Sequence, residues 1–179
     1  MELSIGQKVA YPTQGVCVVE DIKKRDGGGG DSLKYYYLRV LSDNSIIFVP
    51  TENVETVGIR PVISVRQYRK LVEFLGADFS DVSSDWKLRS REFGLKLQSG
   101  DVFQAADVLK KLTFLSHEKK LSFREQTFLE KARFLIVSEV TNADLASEKT
   151  IDRKLDELIE KACTKHLVTQ PRVLAATNH

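Results

Sequence analysis

The stretch "SSDWKLRSREF" (83–93) holds the only tryptophan of the chain, Trp86, followed at close spacing by Lys87, Arg89 and Arg91. A flat apolar ring beside three cations can enter a base step while its neighbours neutralise phosphates. The same residues also suit a plainer role. On a helix, Trp86, Phe93 and Leu97 share one face, and a buried ring with Lys87 and Arg91 in water would be core. The expected helix start favours the first role. Ser83 or Ser84 is the expected N-cap, which sets Trp86 in the first turn, where a bulky ring projects past the helix end. Free N–H groups there would favour an anion. Lys87 and Arg91 are i, i+4 neighbours on one side, and Arg89 flanks the other. The residues alone leave wedge and core in balance.

Other chemistry is sparse. His117, His166 and His179 fall in no HExxH frame, and His117 sits in the polar run "HEKK" as a surface residue. No GxSxG occurs, and no GxGxxG follows a strand. The glycines of "RDGGGGDS" (25–32) are not followed by Gly-Lys-Ser/Thr, so they read as a flexible hairpin tip, not a phosphate loop. Cys17 and Cys163 form no CxxC pair, which argues against a disulfide framework or a thiolate metal site. Carboxylates interleave with cations, as in "IDRKLDELIEK", the pattern of a solvated helix face. The expectation is a non-enzyme with no catalytic residues, metal, cofactor or small-molecule substrate.

Two textures position these residues. Residues 5–50 hold four strand candidates: "QKVAYP", "GVCVVEDIKK", "LKYYYLRVL" and "NSIIFVP". Four short strands bury two faces most economically as a bent SH3-like barrel. From Ser64 the apolar period becomes helical. Tyr68, Leu71, Val72 and Leu75 form one stripe, with Ser64 and Gln67 as a capping box and Gly76 as a stop. Further helices are expected from Ser84 to about Gln98, from Asp101, from Ser122 with Glu125 as a second capping box, and along Ile151, Leu155, Leu158 and Ala162. The expected fold is therefore two-domain α+β. A small SH3/Tudor-like β-barrel (1–63) precedes a compact all-α domain of about five helices (64–167), and 168–179 is a frayed tail. The connecting "TVGIRPVIS" (56–64) is too short for a free linker, so a restricted domain orientation is expected.

Charge follows the same division. Lys+Arg against Asp+Glu is 7 to 8 over residues 1–65, 14 to 10 over 66–133, and 6 to 7 over 134–179. Net charge is only +2, so any nucleic-acid surface must be local, and Trp86 lies in the basic third. The N-terminus lacks a cationic stretch followed by an apolar core, and no run approaches the ~20 apolar residues of a membrane span. A soluble cytoplasmic protein is expected.

The motifs "IGQKVAYPTQGVCVVEDI" (5–22), "FVPTENVETVGIRPVIS" (48–64), W-K-L-R-S-R-E around Trp86, "LQSGDVFQAADVLKKL" (97–112) and "LSFREQTFLEKARFLIVSEV" (121–140) occur in order. Over about residues 3–160 the chain resembles the CarD/CdnL family of bacterial transcription regulators. Its N-terminal half is also similar to the polymerase-interacting domain of the transcription-repair coupling factor. The resemblance implies a Tudor-like domain that docks on the RNA polymerase β subunit, and a helical domain that contacts promoter DNA at the upstream edge of the melted −10 region. It implies that Trp86 wedges into the minor groove with Lys87, Arg89 and Arg91 on the DNA, stabilising the open complex. It assigns Arg25 to the polymerase contact. Leu88-Arg89 stands where some relatives carry an Arg-Arg pair, and Phe48 where some carry Arg. Polymerase binding is therefore expected to lean on Ile46, Ile47 and Phe48 through apolar and strand-edge contacts. The competing expectation is a protein–protein adaptor with Trp86 in its core.

Overall fold

The computed structural model describes residues 1–26 and 32–170. Strands β1 (Lys8–Tyr11), β2 (Gly15–Asp26), β3 (Ser32–Val40) and β4 (Ile46–Pro50) form an antiparallel meander, and the two-residue strand β5 (Arg60–Pro61) pairs with β1. The order is β4-β3-β2-β1-β5. A helical turn at Thr51–Asn53 and helix α1 (Val54–Val57) lie between β4 and β5. The expected barrel closure is absent: β4 and β5 are the two sheet edges, and no ladder joins them among the described residues. Strand β5 is too short to complete a ladder, and its Pro61 has no N–H to give. Strands β2 and β3 form a hairpin out to the pair Asp26–Ser32, and the glycine tip at 27–31 lies outside the described residues.

The sheet has one dry face. Val9, Cys17, Val19, Leu38, Val40 and Val49 are buried together, closed over by Leu3, Val54 and Ile59. Alternation along β3 sends only the middle one of the three tyrosines inward. Tyr36 is buried and its hydroxyl accepts a hydrogen bond from the Leu3 N–H at 3.0 Å. Tyr35 and Tyr37 stand on the outer face. Glu20 is an extra residue in β2, since Val19 pairs with Leu38 and Asp21 with Tyr37, and this bulge bends the strand.

Five longer helices follow: α2 (Val65–Leu75), α3 (Trp86–Gln98), α4 (Val102–Glu118), α5 (Phe123–Asn142) and α6 (Glu148–Thr169). Both expected capping boxes form, Ser64 with Gln67 and Ser122 with Glu125. A second buried cluster includes Leu71, Leu75, Phe93, Leu97, Leu109, Leu112, Ile136, Ile151 and Leu155, each worth ~1.5–3 kcal/mol for its burial. Helix α6 outlasts the expected end of order at Leu167. It continues to Thr169, whose hydroxyl donates to Asp78 Oδ2 at 2.6 Å and to the His166 carbonyl at 3.2 Å. Only residues 171–179 of the expected frayed tail lie outside the described residues.

Part of the middle third's positive charge is internal. Lys110 is fully buried, with Nζ 2.7 Å from the Phe74 carbonyl oxygen and 3.9 Å from the Phe74 ring centroid. Burial pushes its ammonium down to about 8. Lys111 is also buried, 3.0 Å from Asp107.

Sheet and helices meet through specific contacts. The Arg60 guanidinium of β5 binds the buried Glu139 carboxylate of α5 through two N–H groups, at 2.5 and 2.9 Å, and also donates to the Gly100 carbonyl at 2.7 Å. Glu139 accepts a third hydrogen bond from the Ile63 N–H at 2.9 Å. Gly15, at φ +86°, admits the Phe134 ring, which would stand 3.1 Å from an added Cβ. These contacts agree with the restricted orientation expected from the short connection.

Candidate nucleic-acid interface and sheet edge

Helix α3 begins on Trp86 itself. Its N-cap is Asp85, not Ser83 or Ser84. The Asp85 carboxylate accepts from the Lys87 N–H at 2.8 Å and the Leu88 N–H at 3.3 Å. Those N–H groups, expected to be open to a phosphate, already have an anion. The sequence around 83–85 is rich in capping residues, and only backbone geometry selects among them.

Trp86 is 65% exposed, which excludes the core placement. Phe93 and Leu97 are buried on the same helix, at 1% and 5%. All three share an angular face, but the first turn of α3 stays uncovered: Lys87 and Leu88 are exposed as well. The Lys87 ammonium lies 5.7 Å from the Trp86 ring centroid, a weak cation–π contact that keeps charge beside the ring. Arg91 is exposed one turn on. Neither Lys87 nor Arg91 makes a salt bridge among the described residues.

Arg89 is not part of this exposed set, contrary to its expected place on the DNA. It is 4% exposed. Its guanidinium donates to Glu125 Oε1 through Nε at 3.0 Å and Nη2 at 2.6 Å, and to the Ser83 carbonyl through Nη1 at 2.7 Å. A guanidinium so occupied has no face left for phosphate. It instead ties the segment before α3, the first turn of α3 and the first turn of α5 together. Desolvation pushes the Glu125 carboxyl up. Hydrogen bonds from the Ser122 N–H and Arg89, with the Lys119 charge at 3.6 Å, outweigh it and hold the group at about 2. Arg89 thus anchors the first turn of α3, on which Trp86 stands.

The second set of expected residues gathers at the other end of the chain's sheet. Phe48 on edge strand β4 is 48% exposed and Ile46 40%, on the outer face with Tyr37. The Tyr37 and Phe48 rings meet edge to face at 4.6 Å, and the Arg25 guanidinium lies 5.2 Å from the Phe48 centroid. Lys23 covers Tyr37 at 4.7 Å. Ile47 departs from the group: it is half-buried and packs against the inner cluster. The result is a small apolar patch with a cationic rim beside an unpaired strand edge, suited to strand addition or a side-chain pocket.

Sequence reasoning missed His166 and the second use of Glu125. His166 is buried, stacks on Phe79 at 4.1 Å and places Nδ1 2.8 Å from Asp78. It lies in an open groove of about 820 Å³ that Trp86 and Arg89 also line. No group of His, Cys, Asp or Glu among the described residues is arranged to hold a metal ion. No helix there is long and apolar enough to cross a membrane.

Comparison with known proteins decides the family. Residues 3–63 match the family model described as "CarD-like/TRCF RID domain", and residues 70–156 match "CarD, C-terminal domain". The chain belongs to the CarD/CdnL family. This CarD-family chain is 26% identical over 147 residues to the Bacillus subtilis (strain 168) protein named "Putative transcription factor YdeB", covering 82% of this chain and 95% of that one. It is also similar to the solved N-terminal domain of Myxococcus xanthus CarD, at 35% identity over 35% of this chain and 83% of the other, with a TM-score of 0.29. Membership makes the protein a transcription regulator that interacts with RNA polymerase, and points away from an enzyme.

On a nucleic-acid surface, the exposed charges of Lys87 and Arg91 would meet phosphates rather than base edges. Replacing either with Ala should flatten the dependence of log K on log salt by about one counterion unit, with similar loss on unrelated promoter sequences. Equilibrium binding at several salt concentrations checks this. A changed sequence preference at constant salt slope would indicate base readout instead.

Proposed function

We propose that this protein docks on the β subunit of RNA polymerase through its N-terminal unit (1–63), and that its helical unit (64–167) stabilises the promoter open complex. Trp86 wedges into the minor groove at the upstream edge of the melted −10 region, with Lys87 and Arg91 on flanking phosphates. Arg89 aims the ring without touching DNA. The observation that carries this reading is an exposed tryptophan on the first residue of a helix whose first turn is anchored by a buried ion pair. Minor-groove contacts distinguish bases poorly, so promoter sequence is read weakly. Filling an opened base step resists the re-stacking that closure requires, a term of a few kcal/mol per step. Tethering through polymerase raises the local concentration, so weak DNA affinity suffices.

The polymerase half is tested on the full chain. Phe48→Glu and Arg25→Glu should each reduce capture of the isolated β subunit at least tenfold while the thermal midpoint stays within a few degrees, because both side chains lie at the sheet surface. Trp86→Ala should leave capture unchanged. Undiminished capture by Phe48→Glu would remove this edge from the account.

A further inference from the structure

Phe123 is the most exposed large apolar side chain among the described residues, at 89%. It is the first residue of α5, as Trp86 is the first of α3. The two helices run parallel. Arg89 meets Glu125 near their starts, and Gly94 faces Phe128 further along both. Both rings therefore project from the same end of the helical unit, with the buried Arg89–Glu125 pair between their first turns. Packed helices sit about 8–10 Å apart, the length of two to three base steps of a nucleic-acid strand.

The exposure of Phe123 serves neither core nor cap. Ser122 and Glu125 already form the capping box of α5 without it. The surroundings are cationic. Lys119, Lys120 and Arg124 are all exposed, and neither Lys120 nor Arg124 makes a salt bridge among the described residues. A purely apolar protein groove would leave these charges without partners. A single nucleic-acid strand meets both features: phosphates for the cations, and a base face for the ring, without regard to sequence.

We infer that Phe123 is a second base-stacking residue, which holds a base of the unpaired promoter strand close to the step that Trp86 opens. The inference deepens the proposed reading of Trp86 and rests on it. Two stacked bases a few steps apart would fix the strand's path across the end of the helical unit. The two rings divide the work: one fills a step at the duplex edge, and the other keeps the freed strand from returning.

The full-length protein carrying photoreactive p-benzoylphenylalanine at position 86, at position 123, or at the exposed apolar control position Val65 on α2 tests this. Each is assembled into polymerase–promoter open complexes and irradiated. DNA adducts from 86 and 123, and none from 65, are expected, with the adducts from 123 on the unpaired strand. Phe123→Ala should then shorten open-complex lifetime about fivefold, the lower end of the range for base–aromatic stacking, and Phe123→Tyr should retain it. DNA adducts from 86 with only polypeptide adducts, or none, from 123 would overturn the inference and leave the role of Trp86 standing. Absence of DNA adducts from 86 would overturn that role, and the inference with it.

Discussion

Arg89→Ala lowers the thermal midpoint by about 10 °C or more, the largest stability effect expected of any substitution near Trp86. The residue is 4% exposed, and its removal leaves the buried Glu125 carboxylate without its guanidinium partner. Breaking a buried ion pair on one side costs about 3–5 kcal/mol, because the remaining charge keeps its desolvation penalty. Arg89→Lys does not rescue it. One ammonium cannot bind Glu125 twice and also reach the Ser83 carbonyl. Glu125→Ala has a related effect, so the double variant should be far less destabilised than the sum of the singles. Thermal melts of the three variants check this. A midpoint unchanged in Arg89→Ala would contradict the role assigned to the pair.

The same pair sets a pH dependence. Glu125 is held at about 2 in the folded chain against an ordinary 4.5. Its folded value is depressed, so its stabilisation is fully present above pH ~4.5 and is lost as pH falls toward 2. The difference corresponds to roughly 3 kcal/mol, shared among the Ser122 N–H, Arg89 and Lys119. The Ser122 N–H supplies the largest part of the depression and Arg89 the next, so Arg89→Ala should flatten that part of the stability profile only partly.

Much of the fold was legible because local signals agree with it. Ser64 with Gln67 and Ser122 with Glu125 are short-range pairs, and both start helices where expected. The apolar stripes of α2 and α6 follow the 3.6 period: Leu71, Leu75, Ile151, Leu155 and Ala162 are buried, with Tyr68, Val72 and Leu158 half-buried beside them. Barrel closure was not legible, since it depends on whether β5 can pair at a distance, and a two-residue strand ending in proline cannot. Within the candidate site, the residues alone left wedge and core in balance for Trp86, and no local pattern joins Arg25 of β2 to Phe48 of β4, which only the sheet brings together. The fate of Arg89 was not legible either. Its spacing from Trp86 suits a phosphate contact, and its partner Glu125 lies 36 residues away, beyond any local pattern. Asp85 illustrates a finer limit: three adjacent capping residues look alike until the backbone chooses one.

Trp86→Ala separates stability from function, and it bears on the central claim. A buried tryptophan truncated to alanine costs about 3–5 kcal/mol. Trp86 is 65% exposed, so the expected loss is under about 1 kcal/mol. The functional loss should be larger. A wedge that biases the open state by ~1.4 kcal/mol shifts its ratio to the closed state tenfold, and re-stacking terms reach a few kcal/mol per step. The decisive measurement is the half-life of polymerase–promoter open complexes after addition of a competitor, with wild-type protein and with Trp86→Ala at equal polymerase occupancy. The account predicts decay at least tenfold faster with the variant, at an unchanged thermal midpoint and unchanged capture of the β subunit. Equal half-lives for the two proteins would contradict it.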